Sequence, residues 1–74
     1  MHPHKKQRLD ILQLLYAKRE AKPKTGWVNL SDLKQAAGDC DFALVYLAER
    51  GYIAENGFQY RITASGIDVV EAAE

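Results

Sequence analysis

Seventy-four residues with ten basic and ten acidic side chains, and so no formal net charge, make one domain, because a chain this short cannot be divided into two cored halves. A composition of 47% hydrophobic and 27% charged residues, with five glycines and two prolines, excludes a disordered, collagen-like or disulfide-held chain, and the length excludes a multidomain enzyme. A domain of this size buries only about 60% of the surface its unfolded chain exposes, so nearly every apolar side chain is needed inside and a large one left outside carries information.

Residues 1–4 read as a tail ahead of a single domain over 5–74. From Lys5 to Glu20 there is no Gly or Pro, and at helical spacing Leu9, Ile11, Leu12, Leu14, Leu15 and Tyr16 cover more than half of the wheel. That breadth predicts a helix at the centre of the core, or one that also touches a second subunit. Lys22-Pro23-Lys24-Thr25-Gly26 breaks it. Trp27 to Leu30 reads as a short extended piece, and Ser31-Asp32 as an N-cap followed by an acidic first-turn residue. The short helix that follows runs to Ala37 and stops at Gly38. Asp39 or Asp41 then caps a third helix that reaches Arg50 and ends at Gly51. Two short helices joined by a tight turn are the ingredients of a helix-turn-helix.

After Gly51 the apolar period changes to two. Tyr52-Ile53-Ala54 and Phe58-Gln59-Tyr60-Arg61-Ile62 flank Glu55-Asn56-Gly57, and Asn-Gly predicts a hairpin closed by a type I′ turn. Thr63 caps a last helix whose apolar residues are Ile67, Val69 and Val70.

Charge is divided along the chain. Residues 1–24 hold Lys5, Lys6, Arg8, Lys18, Arg19, Lys22 and Lys24 against Asp10 and Glu20, a surplus of five positive charges, and residues 25–74 hold three basic and eight acidic residues, a surplus of five negative ones. Each charge alone reads as part of a solvated face; together they describe a dipolar molecule with one end suited to phosphates. Cys40 is the only cysteine, which excludes an intrachain disulfide. With no run of eighteen apolar residues and no signal-peptide pattern, the expected location is the cytoplasm, with no membrane partner.

No catalytic set emerges, and the expectation is a protein that is not an enzyme and carries no metal and no cofactor. His2 and His4 lie in the terminal tail without a third ligand. Cys40 stands between two aspartates that disfavour a thiolate, on the inner face of its helix. The pair Asp39 and Asp41 has no further ligand at a suitable spacing, and Gly38, Gly51, Gly57 and Gly66 all fit stops or turns instead of a phosphate loop. Trp27 and Tyr60 read either as stacking platforms or, more commonly at alternating positions in a small sheet, as core.

The order helix, short strand, helix, helix, hairpin, helix resembles the winged helix-turn-helix family over nearly the whole chain. Leu44-Val45-Tyr46-Leu47-Ala48-Glu49-Arg50-Gly51-Tyr52-Ile53 is similar to the family's recognition helix running into the first wing strand. Tyr60-Arg61-Ile62-Thr63-Ala64-Ser65-Gly66 is similar to the second wing strand with its Thr-x-x-Gly helix start, and Gly26-Trp27-Val28-Asn29-Leu30-Ser31-Asp32-Leu33 to the strand and helix before the turn. The resemblance implies an α+β, mainly α, winged helix-turn-helix fold like that of small prokaryotic or phage-type regulators. It also implies that residues 40–50 enter a DNA major groove.

The residues depart from that implication. With Cys40, Ala43, Leu44, Leu47 and Ala48 turned inward, the outward arc of the third helix is Phe42, Val45, Tyr46 and Glu49, not the polar set that reads base edges. The wing tip at Asn56 and Gly57 carries no cation; Arg61, further along, is the hairpin's only basic residue. This face is explained by a helix turned a residue or two from this rotation, by neighbouring elements that cover Phe42 or Val45, or by a protein contact. Two functions therefore stay open. One is a DNA-binding transcriptional regulator holding phosphates with Lys5, Lys6, Arg8, Lys18, Arg19, Lys22, Lys24 and Arg61, in contacts that position without reading sequence. The other is an interaction module that holds a partner protein or a second copy, as a homodimer, through Phe42, Val45, Tyr46 and Glu49.

Overall fold

The computed structural model describes residues 3–73, with side chains over 5–72. Its elements are α1 (Pro3–Ala21), β1 (Val28–Asn29), α2 (Leu30–Ala37), α3 (Asp41–Glu49), β2 (Ile53–Asn56), β3 (Gln59–Ile62) and α4 (Ala64–Ala73). The result is a mainly helical α+β domain with four helices and one three-stranded antiparallel sheet, in the order β1-β3-β2, among the described residues.

α1 begins at Pro3, two residues ahead of the predicted Lys5. Proline suits a first helical turn, where its missing N–H has no intrahelical acceptor to lose. Of the predicted tail, Met1 and His2 lie outside the described residues. The breadth of the apolar arc has the expected consequence: Ile11, Leu12 and Leu15 are buried, and α1 packs against α2, α3, α4 and β3. Val28, Leu33, Cys40, Ala43, Leu44, Leu47, Ile53, Tyr60, Ile62 and Val70 complete the core.

Two predicted caps are displaced. α2 starts at Leu30, directly off β1, so its N-cap is Asn29 and not Ser31. The Asn29 side chain makes no capping bond, because its Oδ1 accepts a hydrogen bond from Gln59 Nε2 across the sheet at 3.2 Å. α3 is capped by neither Asp39 nor Asp41. Its N-cap position is Cys40, without a side-chain bond, and Asp41 lies inside the first turn, where its charge complements the helix dipole. Gly38 and Gly51 stop α2 and α3 as expected, at φ of 76° and 77°.

The hairpin closes one residue later than Asn-Gly predicts. The pairs run from Ile53↔Ile62 to Asn56↔Gln59, so Asn56 belongs to β2 and the two-residue loop is Gly57-Phe58. Only Gly57 has positive φ there, at 64°, and no non-glycine residue does. That is the sign pattern of a type II′ turn, and it excludes type I′. On the inner face the Tyr60 hydroxyl donates to Glu55 Oε2 at 3.0 Å. Burial, with the Glu55 carboxylate as the second cause, pushes the Tyr60 phenol up to about 12.

The predicted Thr63 cap is formed. Its Oγ1 accepts from the Gly66 N–H at 3.2 Å and donates to the Gly51 carbonyl at 2.6 Å, so one side chain starts α4 and fastens it to the end of α3. Gly66 itself packs so closely that a Cβ there would overlap the Tyr52 carbonyl oxygen and come within 2.6 Å of Ile62 Cγ1. Two effects oppose each other in Gly66→Ala: a helix-propensity gain of about 1 kcal/mol and an overpacking cost of about 1–3 kcal/mol. Because the obstacle is backbone, overpacking wins, and the substitution is expected to lower stability by about 1–2 kcal/mol. Urea denaturation checks this; a raised midpoint would mean that α4 moves aside freely.

Candidate functional site

α3 carries two apolar faces at one hundred degrees per residue. Ala43, Leu44 and Leu47 point into the core. On the other side, relative exposures are 64% for Phe42, 57% for Val45 and 39% for Tyr46, and Glu49 is exposed beside them. The helix rotation read from the sequence holds, and Phe42 and Val45 remain largely exposed. α1 frames this patch, with the Arg8 guanidinium carbon 4.1 Å from the Tyr46 ring centroid, a cation–π contact worth about 0.5–1 kcal/mol at an exposed position. Gln7 Nε2 donates to the carbonyls of Ala37 and Asp39 at 3.0 and 2.8 Å, fixing the turn that launches α3. Around that turn Asp39 and Asp41 add negative charge, and Asp41 forms an exposed ion pair with Lys34 at 3.8 Å. The Cys40 thiol is buried in the core, and burial, then Asp41, pushes it above its ordinary range, so it is a packing group and not a nucleophile.

The seven basic residues of the first third do not form one patch. A helix rising 1.5 Å per residue sets Lys5, Lys6 and Arg8 roughly 15–25 Å from Lys18 and Lys22. At the first end Lys5 is exposed, Lys6 pairs with Asp10 at 3.4 Å, and Arg8 is engaged by Tyr46. At the second end Arg19 is half-buried and its Nη1 donates to the Ile62 carbonyl, which fastens α1 to β3 and engages part of the guanidinium within the domain. Lys18, Lys22 and Lys24 are exposed and make no ion pair among the described residues. Arg61 joins them: its guanidinium carbon lies 4.9 Å from the Trp27 ring centroid, and its Nη1 donates to the Lys24 carbonyl at 3.5 Å. Lys18, Lys22, Thr25, Gly26 and Trp27 line an open cleft of about 230 Å³ between them. Trp27 is thus half-buried on the outer face of the sheet, whereas Tyr60 is core.

At the hairpin tip Asn56 and Gly57 are exposed. The residue that sequence reasoning missed is Phe58, 78% exposed. It shares the alternation of Tyr60 and Ile62 and so reads as inward, but its place in the turn takes it off the sheet. Its carbonyl accepts from the Leu30 N–H at 2.7 Å. Among the described residues no group of three or more His, Cys, Asp or Glu side chains is arranged to hold a metal ion, and no helix is long and apolar enough to cross a membrane.

Comparison with known proteins finds no family model, no curated protein and no solved structure that matches the chain.

At the C-terminal end of α1 the basic residues predict different mutational outcomes. Arg19→Ala removes a charge-assisted bond to a backbone carbonyl and is expected to cost on the order of 1.5 kcal/mol, whereas Lys18→Gln and Lys22→Gln should each stay within about 0.5 kcal/mol. Chemical denaturation of the three variants checks the ranking; equal effects would show that Arg19 is as solvated as the lysines.

Proposed function

We propose that this chain is a winged-helix domain that works as a protein-interaction module, docking a partner protein on the outer face of α3. The fold half of this reading is supported by the element order. α2 and α3 are joined by the three-residue turn Gly38-Asp39-Cys40, a hairpin follows α3 directly, and β1 pairs with β3, the hairpin's second strand and the middle strand of the sheet. The observation that carries the function is the exposure of Phe42, Val45 and Tyr46 together on one helix face. Three large apolar side chains side by side are what a partner can desolvate, and Tyr46, with the Arg8 guanidinium over its ring, belongs with Arg to the residue types enriched among interface hot spots.

Direct readout of DNA by α3 has less support. Between Asp41 and Glu49 there is no Arg, Lys, Asn, Gln, Ser or Thr to meet base edges, and Asp39, Asp41 and Glu49 oppose phosphates. Of the cations expected to grip a duplex, Arg8 and Arg19 are engaged within the domain.

Val45 is exposed enough that Val45→Glu should leave stability within about 0.5 kcal/mol of the parent. The same change buries a charge in the docked interface and is expected to weaken partner binding at least about thirty-fold, the scale of a hot-spot residue. A photo-crosslinking residue at position 45 in the source cells identifies the partner, and binding assays with the parent and Val45→Glu proteins compare affinity. Equal affinity of the two proteins would contradict the reading.

A further inference from the structure

The outer face of the sheet lies away from α3 and has its own chemistry. Alternation along β3 turns Tyr60 and Ile62 inward and leaves Gln59 and Arg61 outward, where they meet Asn29 of the edge strand β1 and Trp27, the residue just before that strand. The Arg61 guanidinium covers part of the Trp27 ring, and the Asn29–Gln59 amide pair continues the same surface. Beside Trp27 opens the cleft lined by Lys18 and Lys22. These two lysines are one helical turn apart, since the Lys22 N–H still donates to the Lys18 carbonyl at 3.0 Å. Glu20, the acidic residue closest to them in sequence, faces a different groove, with Tyr16, Arg19, Pro23, Ile67 and Glu71, and Glu55 is tied to Tyr60 on the inner face. Trp27 therefore stands among Lys18, Lys22, Lys24 and Arg61, none of which is neutralised by an ion pair among the described residues.

We propose that this face is a binding site for single-stranded nucleic acid, with successive phosphates on Lys18, Lys22 and Lys24 and a base stacked at Trp27. The cleft, about 230 Å³, is smaller than the roughly 300–1,000 Å³ that enclose a whole small ligand. It suits one unit of a longer chain whose other units lie along the surface. Cations without ion-pair partners beside one cleft select a polyanion, and the half-buried indole with its guanidinium neighbour selects a polyanion that carries flat rings. A base can reach Trp27 only when it is unstacked, which favours a single strand over a duplex. Binding of this kind is salt-sensitive and sequence-tolerant. The site shares no residue with the α3 patch.

Trp27 is the chain's one tryptophan, so its fluorescence reports on the site alone. Titrating the full chain with short oligothymidylate at low salt is expected to quench that emission, with the affinity falling as salt is raised. In the triple variant Lys18→Gln, Lys22→Gln, Lys24→Gln the slope of log affinity against log salt should flatten by about 0.7 for each phosphate that no longer meets a lysine. Trp27→Leu, followed by the anisotropy of a labelled oligonucleotide, should weaken binding about ten-fold, and Val45→Glu should leave both titrations unchanged. Absence of quenching at low salt, an unaltered slope in the triple variant, or a hairpin duplex binding as tightly as the single strand would each overturn the proposal. Because Val45→Glu tests the α3 face separately, failure here leaves the protein-docking reading standing, and the reverse.

Discussion

The domain is organised by the burial of Ile11, Leu12 and Leu15 on α1. These side chains are the surface on which α2, α3, α4 and β3 all pack, and a chain this small has no second core to fall back on. Placing one helix in the middle has a geometric consequence. Its two ends emerge on different parts of the surface, one braced through Gln7 against the turn between α2 and α3, the other fastened through Arg19 to the last residue of β3. Whatever either end does, it does as part of a different surface.

The same constraint gives the exposed apolar residues their meaning. Burying a Phe or Val side chain is worth about 1.5–3 kcal/mol, a large sum against the total stability of so short a chain. Phe42, Val45 and Tyr46 nonetheless stay outside, on a helix whose inner face is already filled by Ala43, Leu44 and Leu47. The fold cannot use them without turning the helix and emptying its core, so the stabilisation they offer is open to a partner. The proposed assignment of α3 to protein docking follows from that, and Trp27 with the lysines that make no ion pair among the described residues is the basis of the separate proposal for the other surface.

What the sequence made legible was local. The breadth of α1, the rotation of α3, the glycine stops and the Thr63 cap follow from period and from short-range chemistry, and each is where those predict. The hairpin turn was not legible from alternation, because closing on Asn56-Gly57 or on Gly57-Phe58 leaves Ile53, Tyr60 and Ile62 on the same face. The cross-strand pairing Ile53↔Ile62 decides between them, and Phe58 becomes exposed as a result. The caps of α2 and α3 are displaced because α2 starts directly off β1, which leaves Ser31 inside the helix, and α3 starts at Asp41 with Cys40 at its N-cap position; Asn29, the residue that takes the α2 cap position, has its side chain drawn across the sheet by Gln59, thirty positions away. Nor does sequence proximity make one patch of the basic residues. Lys5 to Lys24 are neighbours in the chain, but a rigid helix holds them apart, and Arg8 and Arg19 are taken up by Tyr46 and the Ile62 carbonyl, partners that no local pattern announces.

The most direct test of the central claim, that the outer face of α3 meets protein and not a DNA groove, is an amide-resolved NMR titration with a mixed-sequence DNA duplex at low salt, repeated at higher salt. The account predicts that the amides of residues 41–49 do not respond, and that any salt-sensitive shifts stay within residues 18–27 and 59–61. Salt-sensitive shifts centred on α3 would contradict it and return that helix to the role of a DNA reader.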